Sequence, residues 1–363
     1  MITLICPTYN RQHLLPILFS KYLSSDLELV VVDGSPSVFL PGNLYPTHKY
    51  FHLPEQSLID RVLFGAKVAS GSYSALISDD DHHFSVFLHN YIPHNDEDPA
   101  PTAYVGLVST FAEQIGKLGI PAVAPYSRHA FKLLSNPSYA ALPLGLTRKY
   151  FSSYEPLLVW AVVSTSCFIE AIKCAKKFSE LQLYGLLEHV ISLYILLNAT
   201  INALPVPQLI RIEHELSVPS NDDICLSSLL IENRRDLFSI YNGECPGLSI
   251  DLLTSRLTDI FLSSMTSQSH ELLYDLIRYS LIRLGTPQYL HRRRFSLFDR
   301  IRHGIIKVLF SFLFLFAFVD PGRRQLYFSL YLHLSLYPRL FLKYPRYYSA
   351  TVVEFSTHLK LVS

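Results

Sequence analysis

The sequence predicts an α/β protein: a Rossmann-like, mainly parallel sheet flanked by helices, followed by an α-helical C-terminal region. Two observations carry this reading. Over the first 80 residues, short apolar runs with β-branched residues alternate with stretches at helical spacing, the pattern of parallel strands joined by crossover helices. From about Asp222 onward, Leu, Ile and Phe recur at three- and four-residue intervals instead, which is amphipathic helix. With 363 residues, 49% of them hydrophobic, and a mean hydropathy of +0.23, the chain can bury one large core or two medium ones. It is too apolar to remain disordered.

Taken in order, Thr3 to Cys6 is a strand, followed by the turn-prone Pro7-Thr8-Tyr9-Asn10. His13 to Leu23 carries Leu14, Leu15, Leu18, Phe19 and Tyr22 near helical spacing. Leu27 to Val32 reads as a buried strand that stops at Asp33-Gly34-Ser35-Pro36. After a Pro/Gly-rich loop, Gln56 to Ser70 is helical, and Ser72 to Ile77 is an apolar run ending in Ser78-Asp79-Asp80-Asp81. Ligands of open α/β sheets gather at the carboxyl ends of the strands. Pro7 to Arg11, Asp33 to Ser35 and Asp79 to Asp81 are therefore predicted to share one edge. Farther on, His94 to Pro101 is an acidic loop, Tyr104 to Leu118 reads as a helix, and Pro121 to Pro143 is irregular. Leu157 to Val163 reads as a strand, with Thr165 or Ser166 capping a helix to Phe178. Tyr184 to Leu197 is a further helix and Val206 to Ile212 a last strand.

Charge divides the chain. The formal net charge is +1, but His291 to Ser363 holds 12 Lys and Arg against 3 Asp and Glu, a net of +9. The other 290 residues carry 19 against 27, a net of −8. Such asymmetry suggests that the tail meets an anionic surface. The five cysteines include no Cys-x-x-Cys pair, which disfavours a disulfide framework or thiolate zinc site and points to a reduced, cytoplasmic chain. A signal peptide is disfavoured, because Met1 to Cys6 already reads as a strand. The most apolar run, Val308 to Val319, has 12 residues, whereas a membrane-spanning helix needs roughly 18 or more.

The triple aspartate is the most informative cluster. Three adjacent carboxylates repel one another, and holding them together is costly unless a cation offsets the charge. Hard divalent ions such as Mn²⁺ or Mg²⁺ take oxygen ligands, commonly one or two carboxylates plus substrate phosphates. The same triplet would also serve as an acidic turn capping the next helix.

The ordered set Ile-Cys-Pro-Thr-Tyr-Asn-Arg (5–11), Val-Val-Val-Asp-Gly-Ser-Pro (30–36), Gly-Ala-Lys-Val-Ala-Ser-Gly-Ser-Tyr (65–73) and Ser-Asp-Asp-Asp (78–81) resembles the nucleotide-sugar half of GT-A fold glycosyltransferases. The likeness is to family 2 and its relatives of bacterial surface-polysaccharide type, well over residues 1–90 and loosely to 215. It implies a GT-A-like nucleotide-sugar-binding and catalytic domain over 1–215; the helical region read from residue spacing follows over 222–363, its basic aromatic tail at 291–363. It further implies that Pro7, Thr8, Tyr9 and Arg11 line the nucleotide pocket, Tyr9 facing the base, and that Asp33 bonds the base or ribose. Asp79, Asp80 and Asp81 would form the metal motif, holding Mn²⁺ or Mg²⁺ against the diphosphate. Ser78 stands where many relatives have the first Asp, so the ligands are either Asp80 or the pair Asp79 and Asp81. The implied activity is metal-dependent, inverting sugar transfer to a surface-glycan or lipid-linked acceptor. A carboxylate must then take the proton of the attacking hydroxyl. Glu188, 108 residues past Asp80 in an apolar helix, is the candidate, with Glu97, Asp98, Glu155 and Glu180 as rivals.

Weaker candidates complete the set. Arg211, Glu213 and His214 follow the last strand; Arg61 and Lys67 would reach phosphates or be ordinary surface charges; His82 and His83 suit hard ions poorly. In the tail, Arg292 to Arg294, Arg300, Arg302 and Lys307 precede the apolar run, and later basic residues interleave with Tyr and Phe. That mixture suits the headgroups of an anionic membrane at about 1 kcal/mol per cation and predicts peripheral attachment at the inner face of the cytoplasmic membrane. Nucleic acid is the less favoured partner. The alternative to an enzyme is a non-catalytic GT-A-like module that binds a nucleotide or a partner in a polysaccharide biosynthesis complex.

Overall fold

The computed structural model describes residues 1–23, 26–40, 45–92, 101–115, 120–125, 134–135, 157–179, 184–213, 250–262, 274–275 and 277–278. Among these, nine strands form one sheet. They are β1 (Ile2–Thr8), β2 (Leu27–Asp33), β3 (His48–His52), β4 (Tyr73–Leu76), β5 (His82–His83), β6 (Thr102–Ile115), β7 (Ile120–Pro125), β8 (Val162–Ser164) and β9 (Thr200–Glu213). The order is β3-β2-β1-β4-β8-β6-β9-β5, with β7 paired to β6. β1 to β4 pair in parallel. β8 is antiparallel to both β4 and β6, and β9 is parallel to β6, so β6 and β9 run in the same sense as β1 to β4. The expected α/β class with a mainly parallel sheet is what the structure has.

Helices cover both faces. α1 (Leu15–Lys21, after a 3-10 turn at Gln12–Leu14) and α3 (Ser85–Tyr91) share one core with Ile2, Leu4 and Cys6. α2 (Leu58–Val68), α4 (Thr165–Lys176) and α5 (Tyr184–Asn198) share the other with Ile5. Alternate residues of β1 thus feed opposite cores, as period-2 side chains must. Leu257 and Phe261 of α6 (Ile250–Leu262) join the second core. α6 falls in the stretch read as helical; most of 222–363, including the apolar run 308–319 and the whole basic tail, lies outside the described residues. Among the described residues, no helix is long and apolar enough to cross a membrane.

Several middle elements differ from the sequence reading. Of Tyr104 to Leu118, expected as a helix, the described part, to Ile115, belongs to the strand β6. Its apolar positions 104, 107, 108 and 111 match helical spacing, but Ala103, Val105, Leu107 and Val108 are all buried, and a strand buried on both faces has no alternation to show. β6 pairs with β9 closely enough that a Cβ on Gly106 would stand 2.6 Å from the Val206 carbonyl oxygen. Leu157 to Val163 is not one strand: it is a 3-10 turn, Leu157–Trp160, followed by β8. β3 lies in the stretch read as loop; its His-Lys-Tyr-Phe-His sequence reflects an edge position, with β2 as its one paired neighbour among the described residues. β7 occupies the start of the segment read as irregular, and β5 and α3 follow the aspartates where no element was foreseen. β9 begins at Thr200, earlier than the expected Val206. The cap of α4 is Ser164 by position and makes no side-chain cap bond, while the Thr165 hydroxyl donates to the Gly71 carbonyl at 2.6 Å.

A buried acid pins the edge opposite the polar clusters. Glu28 on β2 is 2% exposed and accepts from the Thr3 hydroxyl at 2.6 Å, the Ser70 N–H at 2.6 Å and the Ser70 hydroxyl at 2.9 Å. It also pairs with Lys49 at 2.5 Å. Burial alone would raise its pKa, but Lys49, Ser70 and Thr3 hold it below the usual carboxylate range. A depressed folded pKa means stability that is present above the unfolded value and lost as pH falls through the folded one. Glu28→Gln is expected to cost about 2 kcal/mol in urea denaturation at pH 7, mostly from the buried hydrogen bonds because Lys49 is partly solvated. The variant should also flatten the acid limb of stability against pH below the ordinary carboxylate range.

Candidate functional site

The parallel register creates the site. Thr8, the last residue of β1, is paired with Asp33, the last of β2. β4 lies on the other side of β1 with Leu76 paired to Ile5, and the Ile77 N–H continues to the Ile5 carbonyl. Three strand ends carrying Thr8, Asp33 and the Ser78–Asp81 segment therefore stand side by side at the carboxyl edge. Beyond β4 the chain crosses to the far end of the sheet, where β5 pairs with β9 and the Phe84 N–H donates to the Gln208 carbonyl. The aspartates thus span from the top of β4 to the top of β9.

The acid segment is tied to the β1 loop. The Thr8 hydroxyl donates to Asp79 Oδ2 at 2.6 Å, and Arg11 Nη1 donates to Asp79 Oδ1 at 3.1 Å and to Asp80 Oδ2. The Ser78 hydroxyl takes the other Asp80 oxygen. The side chains of Asp79 and Asp80 are 5% and 10% exposed, that of Arg11 29%. Burial raises the Asp79 pKa; Thr8 and Arg11 lower it, Asp80 raises it, and the net is upward. Asp81 is buried, and its carbonyl accepts from Lys21 Nζ at 3.1 Å. All three carboxylates act on Cys6 beneath them: burial first, then Asp79, Asp80 and Asp81, push its thiol well above the ordinary value. A thiol so protonated is no nucleophile.

Asp33 is fully buried and has four donors. The Ser35 N–H and hydroxyl reach Oδ1 at 2.8 and 2.5 Å, while the Gln12 amide and the Tyr50 hydroxyl reach Oδ2, each at 2.7 Å. Burial would raise its pKa, yet these donors hold it below the usual range. Tyr9 projects beside it, 55% exposed, with the Arg61 guanidinium 5.9 Å from the ring centroid. Asn10 adopts φ +56°, a left-handed conformation that Asn tolerates better than most residues, and its N–H is fixed by the Ser35 hydroxyl at 2.8 Å.

The remaining candidates sort by position. Pro7 lies within β1, half-buried. Arg61 is buried; its Nη1 donates to the Thr8 carbonyl, and it fills the space over Gly34. Lys67 sits in the last turn of α2, which descends from the carboxyl edge, so it lies at the opposite edge. Arg211 follows Ile210, the partner of His82, and its guanidinium lies 5.1 Å from the Trp160 ring centroid. His82 and His83 are buried, and burial with Lys21 nearby holds His83 neutral, its pKa about 3. Glu188 is half-buried near the start of α5. The Lys176–Asp60 ion pair at 2.5 Å fixes the end of α4 beside the start of α2, and α5 begins a few residues later, so Glu188 lies toward the carboxyl edge in the helical layer. Glu97, Asp98, Glu155, Glu180 and His214 are outside the described residues, as is the Glu213 side chain.

For a divalent ion, the donor set fits at two carboxylates. Asp79 Oδ1 and Asp80 Oδ2 converge on a single atom, Arg11 Nη1, and both are hard oxygen donors. No group of three or more His, Cys, Asp or Glu is arranged to hold an ion among the described residues. The sequence patterns do not mark Gln12, Lys21 or Tyr50. Gln12 adjoins Arg11, whereas Tyr50 belongs to the unforeseen β3; Ser35 closes the Asp33 to Ser35 cluster expected at this edge.

No family model and no curated protein matches this chain. Among solved structures, a crystal structure of S. aureus TarS residues 1–349 is 12% identical with a TM-score of 0.36, covering 80% of this chain and 91% of that one. S. aureus TarS 1–349 in complex with UDP-GlcNAc is 13% identical with a TM-score of 0.34 and the same coverage. These values are too low to carry a function, and the site is read from its own residues.

Gly34 bears directly on this geometry, because a Cβ there would stand 2.2 Å from Arg61 Nη1. Gly34→Ala is expected to cost about 1–3 kcal/mol in urea denaturation by expelling the guanidinium. In a double-mutant cycle, the same change made on Arg61→Ala should cost much less.

Proposed function

We propose that the chain is a GT-A-like glycosyltransferase of family 2 type, moving a sugar from a nucleotide-diphosphate sugar to a surface-glycan or lipid-linked acceptor. The observation that carries this is the convergence, at one carboxyl edge, of an exposed aromatic face (Tyr9), a buried carboxylate at the end of β2 (Asp33) and a carboxylate pair (Asp79 and Asp80) ion-paired with Arg11. Nucleotides bind at such an edge, and this set matches their base, sugar and phosphate in turn.

Asp79 and Asp80 would hold Mn²⁺ or Mg²⁺, with Asp81 beside them. Such an ion stabilises the charge of the departing diphosphate. Tyr9 and Pro7 would form the wall against the base, and Arg11 would meet the phosphates. In an inverting transfer, the acceptor hydroxyl oxygen bonds to the anomeric carbon as the bond to the diphosphate breaks, the electron pair leaving with the nucleotide. The hydroxyl proton passes to the Glu188 carboxylate. The basic tail, 291–363, would hold the protein against anionic lipid at the inner face of the cytoplasmic membrane, near a lipid-linked acceptor. The Arg11 ion pairs favour a second reading, a non-catalytic GT-A-like module, since they already offset the charge of Asp79 and Asp80.

Mn²⁺-dependent release of nucleoside diphosphate from nucleotide sugars separates the two: the enzyme hydrolyses its donor slowly, and the module does not. Glu188→Gln should lower transfer at least about 10²-fold, the scale of a general base, while thermal-shift titration shows nucleoside diphosphate binding nearly unchanged. Wild-type turnover in that variant removes Glu188 from the mechanism. Flotation with anionic vesicles should carry the full chain upward, and changing Arg292, Arg293 and Arg294 together to Ser should weaken it.

A further inference from the structure

We propose, resting on the nucleotide-sugar reading, that Arg11 occupies the point where a divalent ion would bind, so that the site is loaded by exchange: the divalent ion displaces the guanidinium from Asp79 and Asp80, and Arg11 then turns to the diphosphate. A single nitrogen, Nη1, takes an oxygen from each carboxylate, so the guanidinium occupies the point on which both converge. An ion cannot take both oxygens while it stays.

The surroundings are built for such an exchange. The second oxygen of each carboxylate is held independently, Asp79 Oδ2 by the Thr8 hydroxyl at 2.6 Å and Asp80 Oδ1 by Ser78. The pair therefore keeps its geometry when Arg11 leaves. Arg11 is the most exposed member of the cluster, its side chain 29% accessible against 5% and 10% for the acids, so it has a path into solvent, and the arriving ion replaces the charge that its departure removes. The backbone is anchored on either side: the Asn10 N–H bonds the Ser35 hydroxyl at 2.8 Å, and the Leu14 N–H donates to the Arg11 carbonyl at 2.9 Å. Only the Arg11 side chain has to move. The net charge also favours arrival of a divalent ion, because the three carboxylates of Asp79, Asp80 and Asp81 outnumber the Arg11 guanidinium and the Lys21 ammonium at the Asp81 carbonyl. Once released, the guanidinium is a planar donor on the same loop, suited to phosphate oxygens.

The affinity of a site closed most of the time is lowered by the fraction open, about tenfold when one molecule in ten is open. Mn²⁺ uptake by the full chain, followed by the paramagnetic resonance of the free ion, should accordingly be about tenfold tighter in Arg11→Gln than in wild type with no nucleotide present. With Mn²⁺ saturating, the same variant should bind uridine or guanosine diphosphate about tenfold more weakly, having lost a charge-assisted contact. A readout independent of any variant is the ¹⁵N-arginine spectrum of the wild type, in which the Arg11 side-chain N–H signal should lose its protection from solvent exchange as Mg²⁺ is added. Mn²⁺ bound by wild type and no more tightly by Arg11→Gln, an unchanged diphosphate affinity, or an Arg11 signal unmoved at saturating Mg²⁺ overturns the exchange alone. No Mn²⁺ uptake by either protein, with or without nucleoside diphosphate, overturns the metal-dependent reading and the exchange together.

Discussion

Asp79 and Asp80 are neighbours in sequence, almost wholly removed from water, and of the same charge. Two ionised carboxylates in that position are costly unless cations and donors answer them, and the arrangement of the carboxyl edge follows from how they are answered. Arg11 reaches across from the loop after β1, Thr8 from the end of β1 itself, and Ser78 from the residue before. The loop that carries Arg11 is in turn fixed to the β2 loop through Asn10 and Gln12. Neutralising two acids thereby couples three separate strand ends into one surface.

A second buried carboxylate, Asp33, is answered differently. Its four donors are all neutral, and they still hold the group ionised below the usual range because hydrogen bonds to the charged form favour it. Tyr50 donates one of them, and its hydroxyl in turn accepts from the Phe39 N–H at 2.9 Å, so the edge strand β3 and the loop beyond Asp33 are drawn into the same network. Arg61 sits under the other side, bonded to the Thr8 carbonyl and packed on Gly34. The site is thus a cationic and hydroxyl-rich frame around acids, and the exposed Tyr9 ring is its most accessible apolar face.

The strand ends that bear Thr8, Asp33 and Asp79 were legible as one edge because each follows a short apolar run and the runs are separated by helix-length segments. Arg11 was singled out with them, yet its partnership with Asp79 and Asp80 was not, since 68 residues separate Arg11 from Asp79 and no local pattern expresses an ion pair across two loops. Gln12 and Tyr50 were invisible for the same reason. The error over 104–118 has a related cause: a strand enclosed by β8, β9, β7 and two helical layers is apolar on both sides, and its residues coincide with helical spacing by chance of composition.

The sequence by itself determined the α/β class, the first β-α-β alternation and the identity of the acids at its edge, because side-chain period and turn chemistry are local properties. Tertiary structure alone decided which cation meets which carboxylate, that Asp33 is enclosed by Gln12 and Tyr50, and that β5 crosses to pair with β9. Those outcomes depend on long-range pairing and on the cost of burying charge, both of which arise only when distant segments are brought to the same place.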